Sequence, residues 1–81
     1  MREIEFKMEI EYPQIVKGAK VRVEEGYLKG GLVVYYTIVP AIAMSGNFKR
    51  QEALHDLNGT VTDVREDTSS NAFYVTVGFE G

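Results

Sequence analysis

The sequence predicts a mainly β fold: a small five-stranded antiparallel sheet, with a short helix between the third and fourth strands, curled round one core as a partly open barrel. Three observations carry this expectation. Residues 3–12 alternate charged and apolar side chains without a break. Residues 32–39 are β-branched or aromatic almost throughout. The last 22 residues read as strand, polar turn and strand.

The elements follow in order. Ile4, Phe6, Met8, Ile10 and Tyr12 alternate with Glu3, Glu5, Lys7, Glu9 and Glu11. A period of two is that of a half-buried strand, whereas on a helix the same apolar residues would scatter round the axis. Pro13 ends the strand because it cannot donate to a ladder. A second strand follows Gly18, with Ala19, Val21 and Val23 facing one way and Lys20, Arg22 and Glu24 the other. Residues 25–31 read as a turn, since Gly26, Gly30 and Gly31 can each take positive φ. In the third strand, Leu32 to Val39, one face carries Leu32, Val34, Tyr36 and Ile38, and the other Val33, Tyr35, Thr37 and Val39. Either it is central and covered on both sides, or one face is a contact surface. Pro40 ends it.

In the next segment Asn47 is placed to cap a short helix over residues 48–57, with Leu54 and Leu57 turned inward and Gly59 just past its end. The charges oppose that helix. Lys49 and Arg50 fall in its first turn and Asp56 in its last, each against the macrodipole. The chain closes with a strand over residues 60–65, a turn over residues 66–71 and an alternating strand that sets Phe73, Val75, Val77 and Phe79 against Tyr74, Thr76, Gly78 and Glu80. Val61 and Val64 have opposite parity, which predicts a bulge between them. The order β-β-β-(short α)-β-β is similar to that of OB-folds. Gly59-x-Val61-x-x-Val64 followed by an alternating strand resembles the terminal hairpin of SH3-like barrels, over about a quarter of the chain. Both architectures host unrelated functions, so neither resemblance implies one.

With 81 residues, the expectation is one domain over residues 1–81. Scaling gives roughly 4,900 Å² of folded surface against roughly 13,200 Å² unfolded, enough for one small core and little room for an enclosed substrate cavity. The chain contains no cysteine, which excludes disulfide frameworks, thiolate metal sites and cysteine nucleophiles. No signal-peptide pattern opens the sequence, no apolar run could span a bilayer as a helix, and the last four residues carry no lipidation signal, so a cytoplasmic protein without membrane contact is expected. Net charge is −3, unevenly laid out. Residues 1–12 set two cations against four glutamates, residues 13–50 six cations against two glutamates, and residues 51–81 one cation against six carboxylates. An acidic chain is a poor general binder of nucleic acid, but the basic middle leaves a local anion patch open.

His55 is the only histidine. Asp56 beside it would diverge by about 100° on a helix, and neither Ser45, Ser69 nor Ser70 stands in a nucleophile-elbow context. A hydrolase centred on His55 is therefore the least favoured of three functions. Glu3, Glu5, Glu9 and Glu11 share a strand face at about 6.8 Å spacing, too far to share a proton, and read as a solvated face. Residues 66–71 are oxygen-rich as turns are, with sparser acidic spacing than a calcium loop. Gly26-x-x-x-Gly30-Gly31 lacks the ending of a phosphate loop. Phe48, Lys49 and Arg50 break a local rule, and rule-breaking residues cluster at functional sites; a helix capped by Asn47 would aim free N–H groups and two cations at an anion.

No catalytic residue, metal ligand or cofactor site is expected, and hence no enzyme. The favoured function is a non-catalytic interaction module, an accessory or regulatory protein acting through protein–protein contact. Tyr35, Tyr36, Phe48, Lys49 and Arg50 are its candidate partner or anion contacts. A protein partner, or self-association as a homodimer, would cover whichever face of the third strand residues 41–57 leave bare. The alternative is an oligonucleotide- or nucleotide-binding small barrel that uses the basic segment 13–50.

Overall fold

In the computed structural model, which describes residues 1–39 and 43–80, the alternation at the N-terminus becomes strand β1 (Arg2–Met8), with Ile4, Phe6 and Met8 buried and Glu3, Glu5 and Lys7 exposed. The strand stops four residues sooner than the pattern. Met8 pairs with Phe73, almost at the start of its neighbour, and beyond it the ladder has no partner to follow. Ile10 is consequently 67% exposed, contrary to its place in the alternation. Tyr12 is partly buried through a turn in which its carbonyl accepts the Ile15 N–H.

Strand β2 (Lys20–Leu28) runs past the expected turn. Gly26 does not bend the chain. It lies flat beneath Tyr35, where a Cβ would come within 2.3 Å of the ring. The reversal comes at a single 3-10 turn, Lys29–Gly31, in which Lys29, Gly30 and Gly31 all take positive φ. Strand β3 (Val33–Val39) then pairs with β2 along seven positions, from Leu28↔Val33 to Arg22↔Val39. Pro40, expected to end this strand, lies outside the described residues.

The segment expected to be helical is not. It forms two short strands, β4 (Ala43–Ser45) and β5 (Phe48–Lys49), and a single 3-10 turn over Arg50–Glu52. Both strands lie along one edge of β3, with Thr37↔Met44 and Ile38↔Ala43, then Val33↔Lys49 and Val34↔Phe48. The register slips by one residue between these pairs. Ser45 bridges the slip, its Oγ accepting the Tyr36 N–H at 2.9 Å. Charges set against the macrodipole disfavoured the helix, and an open edge on β3 offered the same backbone groups a ladder. Leu54 is nonetheless buried and Leu57 packs against the core.

Strands β6 (Asn58–Asp67) and β7 (Ala72–Phe79) form the expected hairpin. The expected bulge is present: Val61 pairs with Val77 but Asp63 with Thr76, leaving Thr62 as the extra residue. The sheet has seven strands rather than five, all antiparallel, in the order β2-β6-β7-β1-β4-β3-β5, and β2 also pairs with β3. The hydrogen bonds thus form a ring through β2, β6, β7, β1, β4 and β3. Inside it Phe6, Met8, Val23, Val34, Tyr36, Ile38, Val61, Val75, Val77 and Phe79 are essentially inaccessible to solvent.

Candidate interaction surface

Alternation gives every strand an outward row, and the two sides of the ring present different rows. On β6 and β1 four outward groups satisfy one another. Thr62 Oγ1 donates to Glu3 at 2.9 Å, and the Arg65 guanidinium donates to Glu5 at 2.8 Å while lying 4.8 Å from the centre of the Tyr74 ring. Pairing with Glu5 also raises the Arg65 pKa. On β2, β3 and β4 the outward row is mixed, with Arg22 and Glu24 exposed beside Val39 and Thr37 and apolar side chains on either side of them. Leu28, Val39 and Met44 are exposed, and Val33 and Tyr35 are half-buried. The pairs Leu28↔Val33 and Thr37↔Met44 seat these side chains in adjacent rows. Near the β2–β3 turn Tyr27 and Leu32 are also exposed, at 58% and 70%.

Cations stand near that turn. Lys29 is within it, and the Arg50 backbone N–H donates to the Leu32 carbonyl at 3.1 Å. Lys49 pairs with Val33 across the β3–β5 ladder. The anion site expected at an Asn47-capped helix does not form, because there is no such helix. The Lys49 N–H instead donates to the Glu52 carboxylate at 3.0 Å, and the Arg50 N–H is taken by Leu32.

The five candidate contact residues separate. Tyr35 faces outward over Gly26. Tyr36 is fully buried and leaves the contact set. Its hydroxyl accepts the Leu54 N–H at 2.7 Å and donates to Glu25 at 2.7 Å, and Glu25 also accepts the Tyr27 hydroxyl at 2.6 Å. Burial raises the Tyr36 pKa, and the hydrogen bond to Glu25 raises that of Tyr27. Phe48 is half-covered, packed on the Tyr36 ring at 6.2 Å with the Arg2 guanidinium 5.2 Å from its own centre. Lys49 and Arg50 are exposed.

Sequence reasoning missed Glu25, Leu28 and Met44. Glu25 shares the odd parity of Val21 and Val23, the one signal that could have placed it on the inward side once β2 was known to be longer.

His55 is exposed, and the Asp56 carboxylate is turned to Asn58, whose backbone and side-chain N–H groups hold its pKa below the usual range. Ser45 bonds Tyr36 and Gly46, and Ser69 donates to Asp67 at 2.6 Å. Among the described residues no three His, Asp or Glu side chains form a metal-sized cluster, and no helix is long and apolar enough to cross a membrane. An open groove of about 460 Å³ lies at the far end of β2, lined by Lys20, Arg22, Asp56, Asn58, Gly59 and Gly78 among others. Neither Lys20 nor Arg22 makes a salt bridge with a described residue. Compared with known protein families, curated proteins and solved structures, the chain finds no match.

Proposed function

We propose that this protein is a non-catalytic interaction module, an accessory or regulatory protein that works by contacting another protein through the outward face of β2, β3 and β4. The observation that carries this reading is the contrast between the two sides of the ring. Glu3 and Glu5 on β1 are spent on Thr62 and Arg65 of β6, whereas Leu28, Leu32, Val39 and Met44 are exposed and unspent. Single exposed apolar residues are ordinary, but Leu28 and Leu32 stand with Lys29, Lys49 and Arg50 near the β2–β3 turn, the mixture of apolar and cationic groups that a contact surface uses. The ring of hydrogen bonds fits a small barrel of the OB-like or SH3-like kind, architectures that display faces to partners.

Affinity capture from the native lysate, with and without nuclease, tests the reading. The wild-type chain should retain a protein partner after nuclease treatment, and Met44→Asp with Leu32→Asp should lose it while keeping the wild-type circular dichroism. Capture that vanishes with nuclease, or that survives both substitutions, would overturn it.

The second reading is a nucleotide- or oligonucleotide-binding barrel. The groove beside β2 favours it, because Lys20 and Arg22 line a concavity of ligand size without ion-pair partners.

A further inference from the structure

Residues of β2 alternate between its two edges. Ala19 and Val23 bond away from β3: the Ala19 carbonyl accepts the Val61 N–H at 2.8 Å, and the Val23 N–H donates to the Leu57 carbonyl at 2.9 Å. By the same alternation the N–H and C=O of Glu25 and Tyr27 point away from β3. The β6 ladder ends at Arg22↔Asn58, and among the described residues no strand pairs with β2 beyond Val23 on that side. Two N–H and two C=O groups therefore form an open edge, without the proline or bulge that usually protects one.

We propose that a second copy of this chain fills this edge, β2 pairing antiparallel with β2 of its partner about a two-fold axis through Gly26. Among two-fold registers only this one uses all four groups on each chain, setting Glu25 opposite Tyr27 of the other copy in two hydrogen-bonded pairs. Centring on Glu25 would set two carboxylates face to face. Centring on Tyr27 would pair Glu25 with Lys29, which has already left the strand at φ 52. In the Gly26 register Lys29 instead lies diagonally across from Glu25 of the other copy, an opposite-charge neighbour repeated by symmetry. The two Gly26 residues then form the close, non-hydrogen-bonded pair, where Cα atoms approach to about 4.5 Å. Tyr35 suits that position. Its hydroxyl already lies 2.6 Å from where a Gly26 Cβ would stand, so the two Tyr35 rings meet over a side-chain-free axis. The contact is isologous and closes as a dimer. It uses main-chain groups at an edge rather than the apolar side chains of the face, so either surface can fail alone.

The test is sedimentation equilibrium from micromolar to millimolar protein, joined to amide hydrogen exchange at both ends of the range. The mass should rise from 9.1 kDa toward twice that value, and the Glu25 and Tyr27 amides should become protected as it does. Tyr27→Pro removes an N–H that the β3 ladder does not use, so it should abolish the rise and leave the circular dichroism of the monomer unchanged. A mass fixed at one chain would overturn the inference. So would a dimer in which the Glu25 and Tyr27 amides exchange as fast as in the monomer, since that dimer is held by another surface. If Tyr27→Pro does not fold, the exchange measurement on the wild-type chain decides alone.

Discussion

Tyr36 ties β2 to the segment around Leu54 through one hydroxyl. Its ring is buried, and its oxygen bonds both the Leu54 N–H and Glu25. Tyr36→Phe keeps the ring but strands a buried N–H, a loss of about 1–3 kcal/mol; urea denaturation of the two proteins gives the difference. The same hydroxyl sets an alkaline limit. Folding raises the pKa of Tyr36 and Tyr27 above the ordinary value of 10.0. The folded state therefore prefers the protonated phenols, and their contribution is complete below pH 10 and lost as pH rises through the raised values. Tyr36→Phe should flatten that alkaline loss of stability relative to the wild type. Opposite facings for Tyr35 and Tyr36 were legible from the strand period alone. Which of them was core was not, because that depends on which side of β3 its neighbours curl toward. Glu25 was illegible for a different reason: Gly26 looks like a turn residue until the Tyr35 ring is seen to occupy the space a side chain would need.

At the scale of elements, the hairpin and β1 carry about half of the core, and Phe6 is their common point, packed 6.4 Å from Phe79. Phe6→Ala should cost about 3–5 kcal/mol in chemical denaturation, a large share of what holds so small a chain. Two glycines should respond differently to alanine. A Cβ on Gly59 meets Val77 at 2.6 Å, Phe79 at 2.8 Å and the Gly78 carbonyl at 2.9 Å, all core or backbone that cannot step aside. A Cβ on Gly26 meets only the end of the Tyr35 side chain, which can swing into solvent. Gly59→Ala should therefore lose about 1–3 kcal/mol, with Gly26→Ala losing clearly less; equal losses would mean that Tyr35 is held as firmly as the core. The alternating strands were readable because seven or more residues display a period. Strands β4 and β5 span three and two residues, too few for any period, and exist because the edge of β3 was there to pair with. Ile10 shows the converse, a period that continues after the partner strand has ended.

For the whole molecule, the charge segregation of the sequence maps onto places rather than faces. The C-terminal acids include Asp56 and Asp67, both held below the usual carboxylate range, by Asn58 and by Ser69 respectively. Their lowered values stabilise the fold above the unfolded pKa near 3.8, and that contribution is lost as pH falls through the folded values, so thermal stability should drop on acidification below about pH 4. The basic middle does not gather into one track. Lys20 and Arg22 line the groove, whereas Lys29, Lys49 and Arg50 stand near the β2–β3 turn. This separation limits what a single strand of nucleic acid can neutralise at once. A groove footprint of two cations predicts that the logarithm of the affinity for a labelled oligothymidylate falls with the logarithm of salt at a slope of about −1.4. Five cations acting together would give about −3.5. The expected result is the shallow slope, abolished by Lys20→Glu with Arg22→Glu and untouched by Lys49→Glu with Arg50→Glu, with no saturable binding at physiological ionic strength. A steep slope that needs both groups would mean that one strand passes from the groove to the turn across the outward face of β2, β3 and β4, and that nucleic acid rather than protein is what covers it.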